Sequence, residues 1–375
     1  MATAAVSECI NSEQRTLCEE FAAVTGTDTS LAEYYLREKA WQLEAAVNSY
    51  FDGSDPSEGS NHGNTGDDDL DRASMSPSGS GSSRSSSPDM VVTYESGVAV
   101  DYALVGNGCS STEVETPEMD PTMLKLLTWN VDGLDERNIT ERTKAVCSTI
   151  KSHLPDIIYL QEVIPETFAY IETMCSPTYI AIPGNSQGYF TSVLLKKSRV
   201  TLLDHSIQRF PASQMMRNLL TVKAKFSNIN LVLMTSHLES TKEHAAERKR
   251  QFSKVLKEMS EANARSTVIF GGDTNLRDKE ITDTGGLPEG INDVWQMCGS
   301  PTDAVYTWDL STNDNLDWRF KNKPRCRFDR LFLRQGCDPP NLTPLTFKLI
   351  GTERLASCKR FPSDHWGIIC DFKVQ

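Results

Sequence analysis

A long polar tract divides this chain into two parts that must fold separately. Residues 53–120 hold 24 Ser or Gly in 68 positions, only two aromatic residues, and the run Asp67-Asp68-Asp69. Such a segment cannot bury enough apolar surface to offset the entropy lost on ordering. It therefore predicts a disordered, acidic, Ser/Gly-rich linker between a small unit at 9–52 and a large domain at 121–375.

Charge is distributed unevenly along the chain. The net charge is −13, but residues 1–51 carry −5 and residues 52–120 carry −12, which leaves 29 acidic and 33 basic side chains in 121–375. The large domain is therefore mildly basic, which permits a polyanionic substrate.

The apolar and cysteine patterns bear on location. We expect no membrane contact, because no apolar run approaches the roughly 18 residues of a membrane span. The ten cysteines form no CxxC pair, which is typical of reduced thiols in the nucleus or cytoplasm.

Residues 9–52 predict three short helices. Leu17, Phe21 and Val24 recur at helical spacing, Ser30 with Glu33 is a capping box for a second helix, and a third begins near Trp41. The string "FAAVTGTDTSLAEYYLREKAWQLEAAVNSYF" resembles the ubiquitin-associated-like fold, which implies ubiquitin as a candidate partner. The alternative is a small packing module with another ligand or none.

Residues 122–375 alternate short apolar runs with amphipathic stretches, which indicates a domain of the α/β type. The stretches 139–153 and 241–260 are predicted helices. The predicted buried strands are 125–129, 157–161, 191–195, 231–236 and 267–273.

Polar residues follow several of these strands, where α/β proteins display their site residues. Each motif alone would more often be a turn or helix cap. In this order, over about 240 residues, together they indicate a site. The motifs are Thr128-Trp129-Asn130 with Asp132, Leu160-Gln161-Glu162, Gly271-Gly272-Asp273-Thr274-Asn275, Arg327-Phe328-Asp329-Arg330 and Ser363-Asp364-His365-Trp366-Gly367.

These residue types suit metal-assisted hydrolysis of a phosphodiester. Glu162 and Asp132 are carboxylates of the kind that Mg²⁺ binds, with Mn²⁺ as the alternative ion. Asp273 can accept a proton from an attacking water, and Asn275, two residues on, can help to orient that water.

The remaining polar residues suit stabilisation of phosphoryl charge. His365 and Asn130 can donate to the phosphoryl oxygens, while Asp364 and Asp329 can fix the tautomer and charge of His365. The chain has no nucleophile elbow and no phosphate-binding glycine loop. Direct attack by water is therefore favoured over a covalent intermediate.

The same motifs resemble the endonuclease/exonuclease/phosphatase superfamily. The resemblance covers 122–375 and implies a mixed α/β (α+β) fold, a four-layered αββα sandwich with the small three-helix bundle and linker in front of it. It also implies a Mg²⁺-dependent phosphoesterase site at one end of two packed sheets.

The longer strings "LTWNVDGLDERN", "MTSHLESTKEHAAERKRQ" and "RFPSDHWG" resemble the branch of this superfamily that acts on tyrosine-linked DNA. This implies hydrolysis of the bond between a tyrosine oxygen and a DNA 5′-phosphate, as left by a trapped type II topoisomerase, in double-strand break repair. The residues implied at the DNA 5′ end are Asn130, Val131, Asp132, Gly133, Leu134, Tyr189, Arg217, His237, Leu238, Glu239, Ser240, Thr241, Lys242, Asn275, Leu276, Arg277, Trp308, Phe328 and His365.

Some of these positions have simpler structural explanations. Ser240 with Glu243 is also a capping box, Trp308 and Phe328 could be core aromatics, and Arg217 could lie in a surface ion pair. We also expect no second His or Lys at the place in the motifs where a general acid would act, because a phenol of pKa about 10 leaves without a strong general acid.

Two other functions stay open at this point. One is an abasic-site or general nuclease of the same fold, and the other is a ubiquitin-binding adaptor with a secondary catalytic role. We expect a monomer, found in the nucleus with some in the cytoplasm.

Overall fold

A computed structural model describes residues 10–25, 29–51, 120–318, 323–337, 339 and 341–375. The predicted linker, 53–120, lies outside the described residues except for its last position. Among the described residues no helix combines the length and the apolar character needed to cross a membrane.

The helices lie in two groups, three near the amino terminus and the rest between strands. They are α1 Ser12–Thr25, α2 Thr29–Glu38, α3 Leu43–Phe51, α4 Ile139–His153, α5 Pro165–Cys175, α6 Ala245–Glu261, α7 Asp278–Asp283, α8 Val294–Met297 and a 3₁₀ turn at Thr302–Ala304.

Strands make up most of the large domain. They are β1 Met123–Asn130, β2 Ile157–Val163, β3 Tyr179–Pro183, β4 Phe190–Lys196, β5 Val200–Arg209, β6 Asn218–Phe226, β7 Ile229–Thr235, β8 Thr267–Asp273, β9 Ile291–Asp293, β10 Trp308–Asp309, β11 Arg325–Cys326, β12 Asp329–Arg334, β13 Leu342–Ile350 and β14 Gly367–Val374.

Two six-stranded mixed sheets contain twelve of these strands. The first has the order β13-β14-β1-β2-β4-β3 and the second β5-β6-β7-β8-β12-β9, while β10 and β11 form a separate pair. Within the sheets β1 runs parallel to β2 and β7 runs parallel to β8, whereas the other pairings are antiparallel.

Alternating side chains build four layers from these sheets. In β8, Ile269 points into the core between the sheets, while Val268 and Phe270 point outward against α6. In β2, Ile157 faces the same inter-sheet core and Ile158 packs on the side of α4 and α5. Both faces of the central strands β2, β4 and β8 are buried, so these strands read as near-continuous apolar runs. The predicted αββα sandwich is confirmed.

The amino-terminal bundle has an aromatic core. The ring of Phe21 lies 5.8 Å from that of Tyr35 and 5.7 Å from that of Tyr50, so all three helices meet at one point. Ala32, Leu36 and Val47 are fully buried around it. The predicted three-helix module is present in the structure.

Two predicted capping boxes are wrong. α2 begins at Thr29, so Ser30 lies inside its first turn. α6 begins at Ala245, and the segment that holds Ser240 and Glu243 is irregular. Ser240 instead accepts a hydrogen bond from Arg217, which is a tertiary contact that a local motif cannot reveal.

Gly351 provides a test of how tightly the first sheet packs. Its φ is +76°, and an added Cβ would lie 2.3 Å from the ring of Trp129, which is fully buried. We expect Gly351→Ala to lower the free energy of unfolding by about 2–4 kcal/mol through overpacking and a left-handed backbone.

Gly286→Ala is the matched control, because its φ is +78° and no atom lies within 4 Å of the added Cβ. Gly286→Ala should lower the free energy of unfolding only by the cost of a left-handed backbone at a non-glycine residue, about 1–2 kcal/mol. Urea unfolding followed by tryptophan fluorescence gives both values, and equal losses would show that the Trp129 contact does not limit this position.

Candidate active site

The topology brings the ends of five strands to one edge of the sandwich. The parallel strands β1 and β2 end there at Asn130 and near Glu162. In the second sheet β8 ends there at Asp273, and its antiparallel neighbour β12 begins opposite, with Asp329 paired to Asp273. His365 lies just before β14, which runs antiparallel to β1. The site residues predicted from separate motifs therefore meet.

The side-chain amide of Asn130 connects the two sheets. Its Nδ2 donates to Glu162 Oε1 at 3.1 Å and to Asp273 Oδ2 at 2.9 Å. Its Oδ1 accepts from the backbone N–H of Asp132 at 3.0 Å. Asn130 is fully buried, so these bonds fix the positions of both carboxylates.

Asp273 is a buried carboxylate with a raised pKa. Burial raises the pKa of Asp273 to about 6; the charge of His365 opposes this rise, and that of Asp329 adds to it. Its other oxygen accepts from the backbone N–H of Asn275 at 3.0 Å. A carboxylate whose pKa lies near neutrality and whose orientation is fixed is suited to act as a general base.

His365 is held as a buried cation. Burial alone would lower its pKa, but the carboxylates of Asp329, Asp364 and Asp273 outweigh burial and raise the pKa of His365 to about 10. Nδ1 lies 2.8 Å from Asp329 Oδ2, and Nε2 lies 3.8 Å from Asp273 Oδ2. With Nδ1 held by Asp329, the Nε2–H is directed towards the site.

Asp364 and Asp329 play different parts around this imidazole. Asp329 is bonded to the ring, whereas Asp364 Oδ2 accepts from the indole of Trp308 at 3.1 Å. The backbone of His365 is also fixed, because its carbonyl accepts from the indole of Trp129 and its N–H donates to Ser363 Oγ.

The backbone around the site is strained. Several non-glycine residues at the strand ends and in the adjoining loops have left-handed φ values, which cost free energy and often cluster at functional sites. Gly133 is required by a close approach, because an added Cβ would lie 2.1 Å from the carbonyl oxygen of Glu162. The strained residues are Asp132, Glu162, Met216, Thr241 and Asn275.

The carboxylate of Asp132 faces Arg142, with Oδ2 3.6 Å from Nη1. Asp132 belongs to neither cluster of potential metal ligands among the described residues, so its assignment as a metal ligand stays a prediction. Sequence reasoning missed Arg142, which is 1% exposed and donates to the carbonyls of Val131, Asp132, Asp135 and Pro362. It ties the loop after β1 to the loop that carries His365, and a lone Arg in a helix gives no signal of this.

Two loops meet beside Asn275. The guanidinium of Arg217 lies 4.8 Å from the ring centroid of Tyr189 and donates to Ser240 Oγ at 3.0 Å. Asn275 Nδ2 is 3.3 Å from the same Ser240 Oγ. Because Asn275 has a left-handed φ, it is not on an extended segment as expected, and its amide donates to the Leu238 carbonyl as well as to Ser240.

Several predicted DNA-contact residues serve the fold with their side chains. Val131, Leu238 and Leu276 lie in apolar clusters, which leaves only their backbone for a substrate. The fully buried Glu239 carboxylate accepts from Ser213, Gln214, Met215 and Gln251, and so holds the 213–217 loop.

On the other side of the site, Leu134 is 42% exposed. The guanidinium of Arg277 lies 5.6 Å from the ring of Phe328, and that ring is 5.6 Å from Trp308.

The expectation that the motifs hold no second histidine beside the acid is wrong. His237 Nε2 lies 3.3 Å from Asp273 Oδ2, and Nδ1 lies 3.8 Å from Glu162 Oε1. Parallel pairing of Thr235 with Gly271 places His237 opposite Asp273. The resemblance implied His237 only at the DNA 5′ end, and the polar "TSH" at 235–237, where the predicted strand 231–236 ends, was the sequence signal for its place beside Asp273.

Two groups of side chains could hold a cation. Glu162, His237 and Asp273 form one, and Asp273, Asp329 and His365 form the other, with ligand atoms within 4.8 Å of one another in each. The first group is the better fit, because His365 in the second is already bonded to Asp329 and carries a positive charge. The carboxylate oxygens of the first group are ligands of the kind that a hard divalent ion takes.

Comparison with known proteins agrees with this geometry. Residues 127–365 match the Endonuclease/Exonuclease/phosphatase family, and residues 15–56 match the UBA-like domain. Together the family and the clusters indicate a divalent-metal site.

Relatives cover nearly the whole chain. Tyrosyl-DNA phosphodiesterase 2 of Homo sapiens is 42% identical over 362 residues, which cover 96% of this chain and 93% of that protein. Tyrosyl-DNA phosphodiesterase 2 of Xenopus laevis is 41% identical over 98% of this chain and 96% of that protein. A crystal structure of D. rerio TDP2 complexed with single strand DNA product is 45% identical, with a TM-score of 0.65, over 68% of this chain and 100% of that one. The crystal structure of TDP2 from C. elegans is 27% identical and has a TM-score of 0.62, and the match covers 100% of this chain and 99% of that one.

The contact of Asp329 with His365 yields a prediction for the metal-free protein. Asp329→Asn removes the nearest negative charge, which disfavours the imidazolium, so the pKa of His365 should fall by about 1–3 pH units. Asp364→Asn removes one charge that is not bonded to the ring, and its effect should be smaller. Proton NMR titration of the imidazole in EDTA measures both, and equal effects would contradict the assigned roles.

Proposed function

Because the chain belongs to the endonuclease/exonuclease/phosphatase family, and within it to the relatives named tyrosyl-DNA phosphodiesterase 2, we propose that it hydrolyses 5′-phosphotyrosyl bonds at DNA ends. The observation that carries the proposal is the buried group of Asn130, Glu162, Asp273 and His365, joined by direct contacts at one edge of the two sheets. A secondary or inactive catalytic domain is disfavoured, since the hydrolytic residues are present and positioned.

Asp273 activates the attacking water. With a pKa of about 6 it is mostly ionised at neutral pH and still basic enough to accept a proton. The bonds from Asn130 and from the backbone of Asn275 fix both of its oxygens, so the base need not reorganise during attack.

His365 stabilises the phosphoryl group. The imidazolium that Asp329 holds supplies a fixed positive charge near the oxygens that become more negative in the transition state. The amide of Asn130 gives one N–H to each of the two carboxylates and so holds them in place beside this cation. His237, next to Asp273, is a second imidazole within reach of the same phosphate.

Glu162 would hold the divalent ion, with Asp132 as the second predicted ligand, and we propose that this ion is Mg²⁺ with Mn²⁺ as a substitute. Bound there, the ion supplies Lewis-acid stabilisation of negative charge on phosphoryl and leaving-group oxygens. A tyrosine phenolate, of pKa about 10, is a far better leaving group than a sugar alkoxide. The site can therefore act without a strong general acid.

A surface on one side of the site suits the DNA 5′ end. Arg217, Lys242 and Arg277 bring positive charge to the strand-end loops, and Trp308 and Phe328 offer rings for a terminal nucleotide. The D. rerio relative, solved with a single strand DNA product, supports this choice of ligand.

The biological setting is also proposed. The substrates are 5′ ends that carry peptide from a trapped type II topoisomerase, and the chain acts as a monomer in the nucleus with some in the cytoplasm. The UBA-like match at 15–56 supports ubiquitin as a partner of the helical module.

A direct assay separates this function from its nearest rivals. The full chain is incubated with a 5′-phosphotyrosyl oligonucleotide and, in parallel, with an abasic-site duplex, each with and without Mg²⁺. We expect metal-dependent release of tyrosine and little cleavage of the duplex. Preferential cleavage at the abasic site would identify a general repair nuclease instead.

Glu162→Gln tests the metal site. It keeps the shape but removes a charge, and hard cations bind a neutral amide less well, so activity should fall by roughly 100-fold or more and recover only partly at high Mg²⁺. Calorimetric titration with Mn²⁺ should show weakened binding. Glu166→Gln, at an exposed position of α5, is the control and should change neither quantity. Unchanged metal affinity in the Glu162 variant would remove it from the site.

Asp273→Asn tests whether Asp273 acts as the general base or only stabilises the fold. Loss of the proton acceptor should slow single-turnover cleavage by about 10²–10⁴, while binding of a 5′-phosphorylated oligonucleotide survives. If Asp273 were only a turn cap, Asn would serve nearly as well and cleavage would persist. Asp303→Asn, on an exposed turn, is the control. A lowered melting temperature together with lost binding would point to scaffolding.

A further inference from the structure

The loop between β5 and β6 is held in place by a buried carboxylate. The ends of the loop meet where the backbone N–H of Phe210 donates to the carbonyl of Arg217 at 3.1 Å. Within the loop, the backbone N–H groups of Gln214 and Met215 donate to Glu239 Oε1 at 2.7 and 3.1 Å. Glu239 is fully buried, so these bonds fix the loop to a part of the domain that water does not reach.

This loop presents Met216 to solvent in a strained conformation. The side chain is 62% exposed, the largest fraction among the exposed large apolar residues that the structure describes. Its φ is +56°, a left-handed conformation that costs free energy at a residue with a side chain. Glycine would form the same turn without that cost. An exposed apolar residue held under strain by a fixed loop is therefore a candidate for contact with a ligand.

A small pocket connects Met216 with the catalytic groups. Its lining includes Tyr189, Met216, Arg217 and His237. At the inner end, His237 Nε2 lies 3.3 Å from Asp273 Oδ2. Met216, the most exposed of these residues, forms the outer rim. A group attached to a phosphate at Asp273 can therefore reach Met216 along this pocket.

Strand order places Met216 and the proposed nucleotide rings on opposite sides of Asp273. Asp273 ends β8, and Phe328 directly precedes β12, the neighbour of β8 on one side. Met216 lies shortly before β6, which is separated from β8 on the other side by β7. A phosphate at Asp273 whose nucleotide lies towards Phe328 therefore has its second ester group towards Met216.

We propose that Met216 binds the peptide residues next to the substrate tyrosine and gives the chain a preference for apolar peptides. This rests on the proposed function. The unbranched, polarizable side chain of methionine packs against apolar partners of different shapes, as a peptide contact requires. A DNA backbone carries a charge at each nucleotide and needs hydrogen-bond donors, which a thioether lacks.

Three oligonucleotides of one sequence separate a peptide contact from a DNA contact. The first carries tyrosine alone on its 5′-phosphate, and the others carry the end-blocked tripeptides Leu-Tyr-Leu and Ser-Tyr-Ser through the tyrosine oxygen. The unmodified chain should have its lowest KM for Leu-Tyr-Leu. Met216→Ala removes the apolar contact, so KM for this substrate should rise roughly fivefold. KM for the other two substrates, and kcat for all three, should stay within twofold.

Two further variants control for side-chain type and for the fold. Met297→Ala, 40% exposed on α8, should change no KM. Met216→Leu keeps the apolar volume and should leave KM for Leu-Tyr-Leu within twofold of that of the unmodified chain. The melting temperature of Met216→Ala should match that of the unmodified chain, because the side chain that is removed is mostly exposed.

A methionine methyl resonance reports the contact without turnover. The full chain, labelled at its methionine methyl groups, is titrated in EDTA, and the Met216 signal is assigned by its loss in Met216→Leu. The Leu-Tyr-Leu oligonucleotide should shift this signal, and the same oligonucleotide with a bare 5′-phosphate should shift it at least threefold less. Equal shifts would place Met216 against DNA and overturn the proposal.

The kinetic outcomes separate this proposal from the proposed function. If Met216→Ala raises KM equally for all three substrates, or lowers the melting temperature by several degrees, Met216 contacts DNA or supports the loop. The peptide contact is then overturned, while the proposed function stands. If the unmodified chain with Mg²⁺ cleaves none of the three substrates, the proposed function fails and the peptide contact fails with it.

Discussion

The geometry of the site depends on one buried side-chain amide that is hydrogen-bonded to both sheets. Asn130 ends a strand of the first sheet and donates to Glu162 of the same sheet and Asp273 of the other. Two carboxylates that would repel each other in a buried space are thereby kept close, because each receives an N–H from the same group. The inter-sheet core brings these strand ends together, and the amide sets their separation.

Buried charge at this edge is retained for chemistry. Asp273, Asp329 and His365 are all 2% exposed or less, and such groups destabilise a fold unless they are paired. Pairing is achieved in a chain, from Asp329 to His365 and from His365 towards Asp273. The result is two groups whose pKa values are both raised, an acid with a pKa of about 6 and a histidine with a pKa of about 10. Such a pair supplies a base and a fixed cation at the same pH.

The rings proposed for the DNA end lie beside the catalytic edge. Trp308 forms a β-bridge with His365, and its indole donates to Asp364. The ring of Phe328 lies 5.6 Å from that of Trp308. The groups proposed to receive a terminal nucleotide are therefore adjacent to those proposed for hydrolysis.

The sequence by itself determined the elements and most members of the site. The predicted helix at 139–153 and strand at 267–273 have the observed bounds, because hydrophobic period is a local property. Residues that act across elements were not visible in this way. Arg142 joins the site only through the packing of α4, and His237, which the resemblance implied only at the DNA 5′ end, lies beside Asp273 through the parallel register of β7 with β8. Likewise, only the tertiary structure decided that Asp132 faces Arg142, that Asp329 rather than Asp364 holds His365, and that burial makes Asp273 a base. Distances between strands and the loss of water around a charge arise from the assembled layers, and no local pattern encodes them.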